Sequence, residues 1–444
     1  MKLIFNVIID KEHKLITGGI SMKDLKGTNV LVDGYNLELP DGTGLKTYGI
    51  TLIQALKILG SNVGVLTSKK CFNNSFLNDV LLYNVSKGSF NKLGLLKDVI
   101  RAASGVLYKA QKMGPFDESV IKKRVTDNFP NYIGDSEELF NLPQCYLVAN
   151  FLYNTFGYTT KITVPGKVDI WHATYPLPVK IKKTKKITTL ADLIPLILPH
   201  TTLDDKKVYW KKIKDSIKTS AIIITISEHS KKDLIDMFDV MPDKIFVTYP
   251  PIQLQPLASG KEEISLFLKK YNLEFRNYIF FVGAIEPRKN VGRLIDAYSM
   301  IDTSMPLVIV GKKAWLYEDE LARNLQNVRL LGHVPADDLR YLYSGAYCFV
   351  FPSLYEGFGL PPLEAMSFGC PVITSNVSSL PEVCGDAALY LDPYDINDIS
   401  EKIKELLDDQ KLRTEFAEAG KERAKIFNME NYVKQVYKAY NKVA

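Results

Sequence analysis

Two glutamates eight positions apart, Glu356 and Glu364, stand in the stretch "FPSLYEGFGLPPLEAMSFGCPVITS". The run "CFVFPS" reads as a strand that leads into a turn containing Gly357 and Gly359. Pro361 and Pro362 then open a helix, where proline is tolerated because the first N–H groups have no intrahelical acceptor. Such a turn aims bare N–H groups outward, and the helix dipole behind them favours an anion. Carboxylates beside an anion make chemical sense as acceptors for hydroxyls, as on a ribose and a hexose, rather than as partners of the phosphate itself. Singly, Glu364 could be an acid that complements the helix dipole and Glu356 a solvated loop residue. The glycines and prolines around the pair favour a site.

A phosphate flanked by two acids needs cations, and "VGAIEPRKN" supplies Arg288 and Lys289 between a strand that ends at Gly283 and a helix that starts near Asn290. Arginine grips phosphate oxygens bidentately while lysine acts as a point charge. An adjacent Arg-Lys pair is often only solvated surface; its place at a strand end argues for more. A further phosphate-loop candidate is "LPDGTGLKTYG", with Gly42 and Gly44. It fails as a nucleoside-triphosphate loop, because Leu45 separates the glycine from Lys46 and Pro40 stands where the first glycine belongs. It remains either an anion-binding turn of another kind or a tight turn that opens a helix.

The elements that must position these groups alternate along the chain, short β-branched runs with helical stretches, as a parallel α/β fold requires. Strands are expected at "NVLVDGYNL", "NVGVLTS", "KVDIWHA", "KKITTLADL" and "AIIITIS", the last ending at Ser227, whose hydroxyl can cap the helix "EHSKKDLIDMF". The proline-rich "YPPIQLQPL" is the linker candidate. Beyond it a second set of strand–loop–helix units begins with "YIFFVGA" and runs through "PLVIVG", "VRLLG", "CFVFPS" and "PVITSN". The expected architecture is two doubly wound Rossmann-like domains, residues 1–252 and 253–425, with ligands in the crevice outside the strand ends.

The 444 residues suit two domains of about 200 each. The five cysteines are odd in number and form no Cys-x-x-Cys pair, which argues against a disulfide framework or a zinc site and fits a reducing cytoplasm. "MKLIFNVIID" has no cleavage site and reads as a first strand or hairpin rather than a signal peptide. No stretch approaches the roughly 20 apolar residues that span a bilayer. A net charge of +6 on this length implies neither nucleic acid nor membrane by itself. In Lys92 to Lys112, however, five basic residues meet only Asp98, with Leu96, Val99, Ile100, Ala103, Val106, Leu107 and Ala110 at helical spacing. That segment is either an interfacial helix on anionic lipid or a surface helix with its apolar stripe on the core.

"VGAIEPRKN", "LVIVGKKAW", "RLLGHVP" and "FPSLYEGFGLPPLEAMSFGCPVITSNVSSLPEV" together resemble glycosyltransferase family 4, retaining enzymes of the GT-B fold, and Glu356 and Glu364 match its Glu-x7-Glu signature. The resemblance continues through "WHATYPLP", "DLIPL" and "ISEHSKKDL". It is weak in about the first 25 residues and in Asn74 to Gly166. It implies that Arg288 and Lys289 bind the donor diphosphate and that Glu364 binds the ribose hydroxyls. Glu356, with Gly357, Phe358, Gly359 and Leu360, would hold the transferred sugar and distal phosphate. The loop around Val334 would face the base, and Gly42 and Gly44 would close over the diphosphate from the other domain. Residues 426–444 would cross back to the N-terminal domain. Family members commonly carry a histidine where this chain has Ala191, which leaves Asp192 and His172 as candidates on the acceptor side. "GKKAWLYEDE" and "DLIPL" look most like the subgroup that builds bacterial surface polysaccharides, often from GDP-mannose. The chain has no Asp-x-Asp motif, so no metal site and no cofactor are expected. The implied partners are a nucleotide sugar and a glycan or lipid-linked acceptor, with no nucleic acid. The expected location is the cytoplasm, with peripheral contact at the inner face of a membrane if the Lys92 to Lys112 segment is the interfacial helix rather than a surface helix. The alternatives are a UDP-sugar-dependent transferase or a nucleotide-sugar-binding protein without transfer activity.

Overall fold

The computed structural model describes residues 25–38, 44–69, 92–104, 108–112, 138–257, 259–323 and 326–444. Two open sheets organise them. The first has eight strands in the order Ile245–Val247, Ile222–Thr225, Lys185–Thr189, Ile170–Ala173, Asn29–Asp33, Asn62–Thr67, Glu138–Asn141 and Gln111–Lys112. All pairings are parallel except the last. The second has six parallel strands, Val328–Gly332, Leu307–Val310, Ile279–Val282, Cys348–Phe351, Val372–Ser375 and Leu389–Leu391.

These segments read as near-continuous apolar runs because helices cover both sheet faces, as in all-parallel sheets generally. In Ile170–Ala173, for example, all four side chains are buried. On one face of the first sheet, Val30, Val32, Ile187, Ile222 and Ile224 pack under helices Gly44–Ile58 and Met429–Asn441. The latter helix comes from the far end of the chain and buries Tyr432, Val433, Val436, Ala439 and Tyr440 there. On the opposite face Leu31, Trp171 and Ala173 pack under helix Cys145–Phe156, and Ile223 packs under helix Lys206–Thr219. The second sheet has a larger core of its own, centred on Phe280, Phe281, Phe349 and Phe351.

The five strands expected in the first half are present, and Ser227 caps its helix by accepting from the N–H of Ser230. "YPPIQLQPL" carries no helix or strand. The strands Glu138–Asn141, Ile245–Val247 and Leu389–Leu391 were not anticipated. Each is only three or four residues long, too short to show a period. Helix Lys92–Ser104 exists, but its buried side is not the expected stripe: Ala102 is buried and Val99 packs against the core, whereas Ile100 and Ala103 are exposed. Val106 and Leu107 lie outside the described residues.

Candidate functional site

Strand Ile279–Val282 delivers the chain to a 3-10 turn, Pro287–Lys289, and Asn290 leaves that turn in the left-handed conformation, φ 61°. The Asn290 side chain fixes the turn by donating to the carbonyls of Pro352 and Pro393, at 3.0 and 2.7 Å. The next strand of the sheet, Cys348–Phe351, ends in the glutamate loop. The two loops bond directly, since the carbonyl of Arg288 accepts from the Leu354 N–H at 2.9 Å and the Ser353 hydroxyl at 3.1 Å. Two segments 67 residues apart thereby meet at a single carboxylate oxygen. Glu356 Oε1 takes Lys289 Nζ at 2.6 Å, Arg288 at 2.8 Å and the Ser353 hydroxyl at 2.5 Å. Arg288 also donates to Glu286 at 2.7 Å.

Burial alone would raise the pKa of Glu356, but Arg288, Lys289 and the Ser353 hydroxyl outweigh it and hold the carboxyl at about 2. The pKa of Lys289 is lowered too, for the opposite reason: burial prevails over the pull of Glu356, and the ammonium also lies 4.7 Å from the centre of the Phe351 ring. Glu364 sits in different surroundings on helix Leu360–Ser367. Among the described residues its carboxylate accepts one hydrogen bond, from the Tyr343 hydroxyl at 3.1 Å, and burial raises its pKa to about 7.

The loop between the glutamates has its carbonyls tied and its N–H groups open. Ser379 donates to the carbonyls of Glu356 and Phe358, at 2.9 and 2.6 Å, and Ser227 donates to that of Gly357 at 2.7 Å. Among the described residues nothing accepts from the N–H groups of Gly357, Phe358, Gly359 or Leu360. Gly359 has φ 116°, a conformation that L side chains rarely adopt. Gly357 is required for another reason: a Cβ there would stand 2.8 Å from Asp192 Oδ2.

That contact crosses between the sheets. Asp192 follows strand Lys185–Thr189 by three residues, accepts from the Ile194 N–H at 3.1 Å, and has its pKa raised by burial although Arg288 pulls it down. Ser227, Asp192 and the Gly357 loop thus form a joint between the two halves. Glu382 reinforces it by accepting from the N–H groups of Glu228 and His229, at 2.7 and 2.9 Å. Neither Ser227 nor Glu382 was assigned a role across the halves from sequence, because such pairings follow from how the sheets face each other. Glu286 and Ser353 were also missed, although their closeness to Arg288 and Glu356 in sequence was a usable signal.

The structure brings together Arg288, Lys289, Asp192, Glu356, Gly357 and the turn to Leu360, with Glu364 one helix turn further on. Three other candidates stand apart. His172 is fully buried, with Nδ1 2.5 Å from the Tyr440 hydroxyl and Nε2 2.7 Å from that of Thr189; burial lowers its pKa to about 3. It is a neutral ring that ties the C-terminal helix to the first sheet, and the expectation that it serves the acceptor is corrected accordingly. The Val334 side chain lies in the second core, so only backbone near it could meet a base. Gly44 opens helix Gly44–Ile58 in open space, with nothing within 4 Å of a Cβ position, while Gly42 lies outside the described residues. A cavity of about 180 Å³ lined by Trp171, Lys186 and Asp215 contains none of the site residues.

Paired parallel sheets with a cationic turn and a glutamate loop at the strand ends make up the GT-B fold of glycosyltransferases. Residues 265–423 match the family model of the glycosyl transferases group 1. The chain is 37% identical over 284 residues to the O-antigen chain mannosyltransferase B of Escherichia coli, covering 61% of this chain and 74% of that protein. It is 31% identical over 253 residues to the serotype-specific mannosyltransferase WbdA of Escherichia coli, of which it spans only 31%. Among solved structures, sucrose-phosphate synthase from Thermosynechococcus elongatus superposes with a TM-score of 0.61 at 17% identity, covering 93% of this chain and 98% of that one. The chain belongs to the group 1 glycosyltransferases and is an enzyme similar to the mannosyltransferases of bacterial surface polysaccharides. Among the described residues no helix is long and apolar enough to cross a membrane.

Proposed function

We propose that this enzyme moves a hexose, mannose from GDP-mannose, to a glycan or lipid-linked acceptor, with retention of configuration and without a metal ion. The observation that carries the reading is the convergence of Arg288 and Lys289 on Glu356, beside a turn with four open N–H groups. The donor sugar rests on the names of the similar mannosyltransferases. As the bond between the sugar and the diphosphate breaks, negative charge grows on the departing oxygen. Arg288, Lys289 and the turn's N–H groups are fixed donors for that charge, which is how a preorganised site lowers a barrier. Glu356, ionised at neutral pH, faces the positive charge that develops on the sugar. The departing phosphate oxygen takes the proton of the acceptor hydroxyl, which lessens the need for a base at Ala191. Glu364 accepts from the ribose hydroxyls. The enzyme works in the cytoplasm at the inner face of a membrane, where a lipid-linked acceptor is reached.

The test is a panel of GDP- and UDP-sugars screened by thermal shift, followed by transfer assays in excess EDTA. A donor at 100 times its dissociation constant raises the unfolding free energy by about 2.7 kcal/mol. Stabilisation by GDP-mannose and transfer that survives chelation are expected. Stabilisation by UDP-sugars alone would replace the donor, and activity restored only by Mn²⁺ or Mg²⁺ would replace the mechanism.

A further inference from the structure

The chain's positive charge is concentrated in one place. Between Lys180 and Thr219 eleven lysines stand against four aspartates, a surplus that by itself exceeds the +6 of the whole chain. Helix Lys206–Thr219 turns Tyr209 and Ile213 into the core and leaves Lys207, Trp210, Lys211, Lys214 and Lys218 exposed. Helix Cys145–Phe156, which contains no acidic residue, lies beside it on the same sheet face. The two are stitched together by Lys212 donating to Asn150 at 2.8 Å and by the Tyr153 hydroxyl donating to Asp215 at 2.5 Å; the Lys211 ammonium sits 5.3 Å from the Tyr153 ring centre.

Their outer surface is also apolar. Leu147, Phe151 and Trp210 are 45, 44 and 42% exposed, and Phe156, at the helix end, is 70% exposed. Large apolar side chains scattered singly on a surface are ordinary, but Leu147, Phe151 and Phe156 share one helix whose neighbour presents four lysines, and Trp210 on that neighbour stacks on Phe238 with the Lys214 ammonium 4.9 Å from its ring centre. An acidic soluble partner would satisfy the lysines and leave the aromatic rings unexplained. A bilayer of anionic phospholipid satisfies both, with phosphates for the ammonium groups and an interfacial layer for tryptophan and phenylalanine.

We propose that the face made by helices Cys145–Phe156 and Lys206–Thr219 docks the enzyme on an anionic phospholipid surface. This deepens the peripheral reading above by assigning the contact, and places it on these two helices rather than on Lys97 and Arg101 of helix Lys92–Ser104, which packs against Cys145–Phe156 and belongs to the basic segment noted in the sequence.

The experiment is co-sedimentation of the full chain with vesicles of phosphatidylglycerol and phosphatidylcholine, and with phosphatidylcholine alone, over a salt series. Expected are binding to the anionic vesicles only, weakening as salt rises, and a loss of about fivefold for each lysine neutralised. Lys207, Lys211, Lys214 and Lys218 all changed to Gln should therefore bind more than 100-fold more weakly. Phe151→Ser with Trp210→Ser should lose binding at high salt, where charge is screened. Nucleotide diphosphate binding, unchanged in both variants, shows that the fold and the donor site are intact. Sedimentation with neither vesicle type overturns the docking face and the peripheral reading together, and equal binding to both overturns the anionic face alone. Binding that survives these changes and falls instead on Lys97→Glu with Arg101→Glu overturns the face and leaves the peripheral reading standing. Retention by the aromatic variant at high salt overturns the bilayer in favour of a purely charged partner.

Discussion

Glu356 and Glu364 are the same residue type, separated by one loop and one helix turn, and their surroundings push them in opposite directions. In the loop, two cations and a hydroxyl meet one oxygen of Glu356, and the carboxyl is held near 2. On the helix, Glu364 has burial and a single phenol, and its pKa rises to about 7. The difference shows that spacing in a motif does not assign roles. A carboxylate locked in a salt cluster is a fixed negative charge, suited to meeting positive charge that appears only during reaction. A carboxylate with one weak partner has acceptor capacity left over, suited to holding hydroxyl groups of a bound molecule.

The largest expected effect comes from removing the fixed charge. Glu356→Gln leaves Arg288 and Lys289 facing Glu286 as their near carboxylate, and breaking a buried pair in this way costs about 3–5 kcal/mol of stability. Turnover should fall by about 10²–10⁴-fold, because the lost interaction strengthens as the sugar becomes positive. Affinity for the bare nucleotide diphosphate should hold or improve, since the cations are released from their partner. Titrations with free nucleotide and intact donor, beside steady-state rates, check this. Loss of bare-nucleotide affinity in Glu356→Gln with none in Glu364→Gln would reverse the two roles.

Next in size is the pH dependence, where the two carboxyls work with opposite sign. The pKa of Glu356 is depressed from 4.5 to about 2, so its contribution to stability is present above 4.5 and is lost as pH falls through 2. That of Glu364 is raised from 4.5 to about 7, so its contribution is complete below 4.5 and is lost as pH rises through 7. Shifts of this size correspond to about 3 kcal/mol each. Asp33 and Glu38 are also raised by burial, to about 6 and about 7, and titrate in the same direction as Glu364. The comparison must therefore be between wild type and Glu364→Gln, unfolded in urea at pH 5 and pH 8. The variant should gain on the wild type by about 3 kcal/mol at the higher pH. Parallel stabilities at both values would show that Glu364 is solvated like any surface acid.

Arg288→Ala sharpens the comparison from the cation side. It should weaken nucleotide diphosphate binding by about 1.5–3 kcal/mol, the scale of a charged hydrogen bond. It should also raise the pKa of Glu356, so that activity is lost at a higher pH on the acid side than in the wild type. Calorimetry with the diphosphate and a pH–rate profile measure the two effects. If affinity drops and the acid limb stays in place, Arg288 touches the ligand and does not set the charge of Glu356.

Much of the second half was legible in the sequence because its chemistry is local. Strand, turn and helix follow one another within "CFVFPSLYEGFGLPPLEAM", and the elements lie where the glycines and prolines put them. Arg288 and Lys289 were readable from a strand end. The first half was legible as strands and opaque as chemistry. His172 looked available because it ends a strand, yet its Nδ1 partner is Tyr440, 268 residues away, and no local pattern could show that the ring is sealed by the last helix. Ala191 could be noticed as a departure, but that Asp192 presses against Gly357 depends on how two sheets face each other. The apolar stripe of helix Lys92–Ser104 was drawn through Ile100, which is 60% exposed, because residues 99, 100, 102 and 103 are all apolar and the period alone does not choose among them.

The smallest effect tests the helix side of the comparison through a residue that the sequence did not single out. Tyr343 is fully buried, stacks against Phe368 at 5.7 Å and supplies the hydrogen bond to Glu364. Tyr343→Phe keeps the ring and its packing and removes only the hydroxyl. With Glu364 ionised, at pH 8, the lost bond is to a charge, and the cost should be about 1.5 kcal/mol; with Glu364 protonated, at pH 5, the bond is between neutral groups and the cost should be nearer 0.5 kcal/mol. Since the hydroxyl favours the ionised form, its removal should also drive the pKa of Glu364 further up. Nucleotide affinity should then fall off at a higher pH as the solution is acidified, with the affinity at pH 9 little changed. Urea unfolding at the two pH values and nucleotide titrations across the range measure both effects. An identical cost at pH 5 and pH 8, with an unshifted affinity profile, would mean that Tyr343 only fills space, and that some other group sets the state of Glu364.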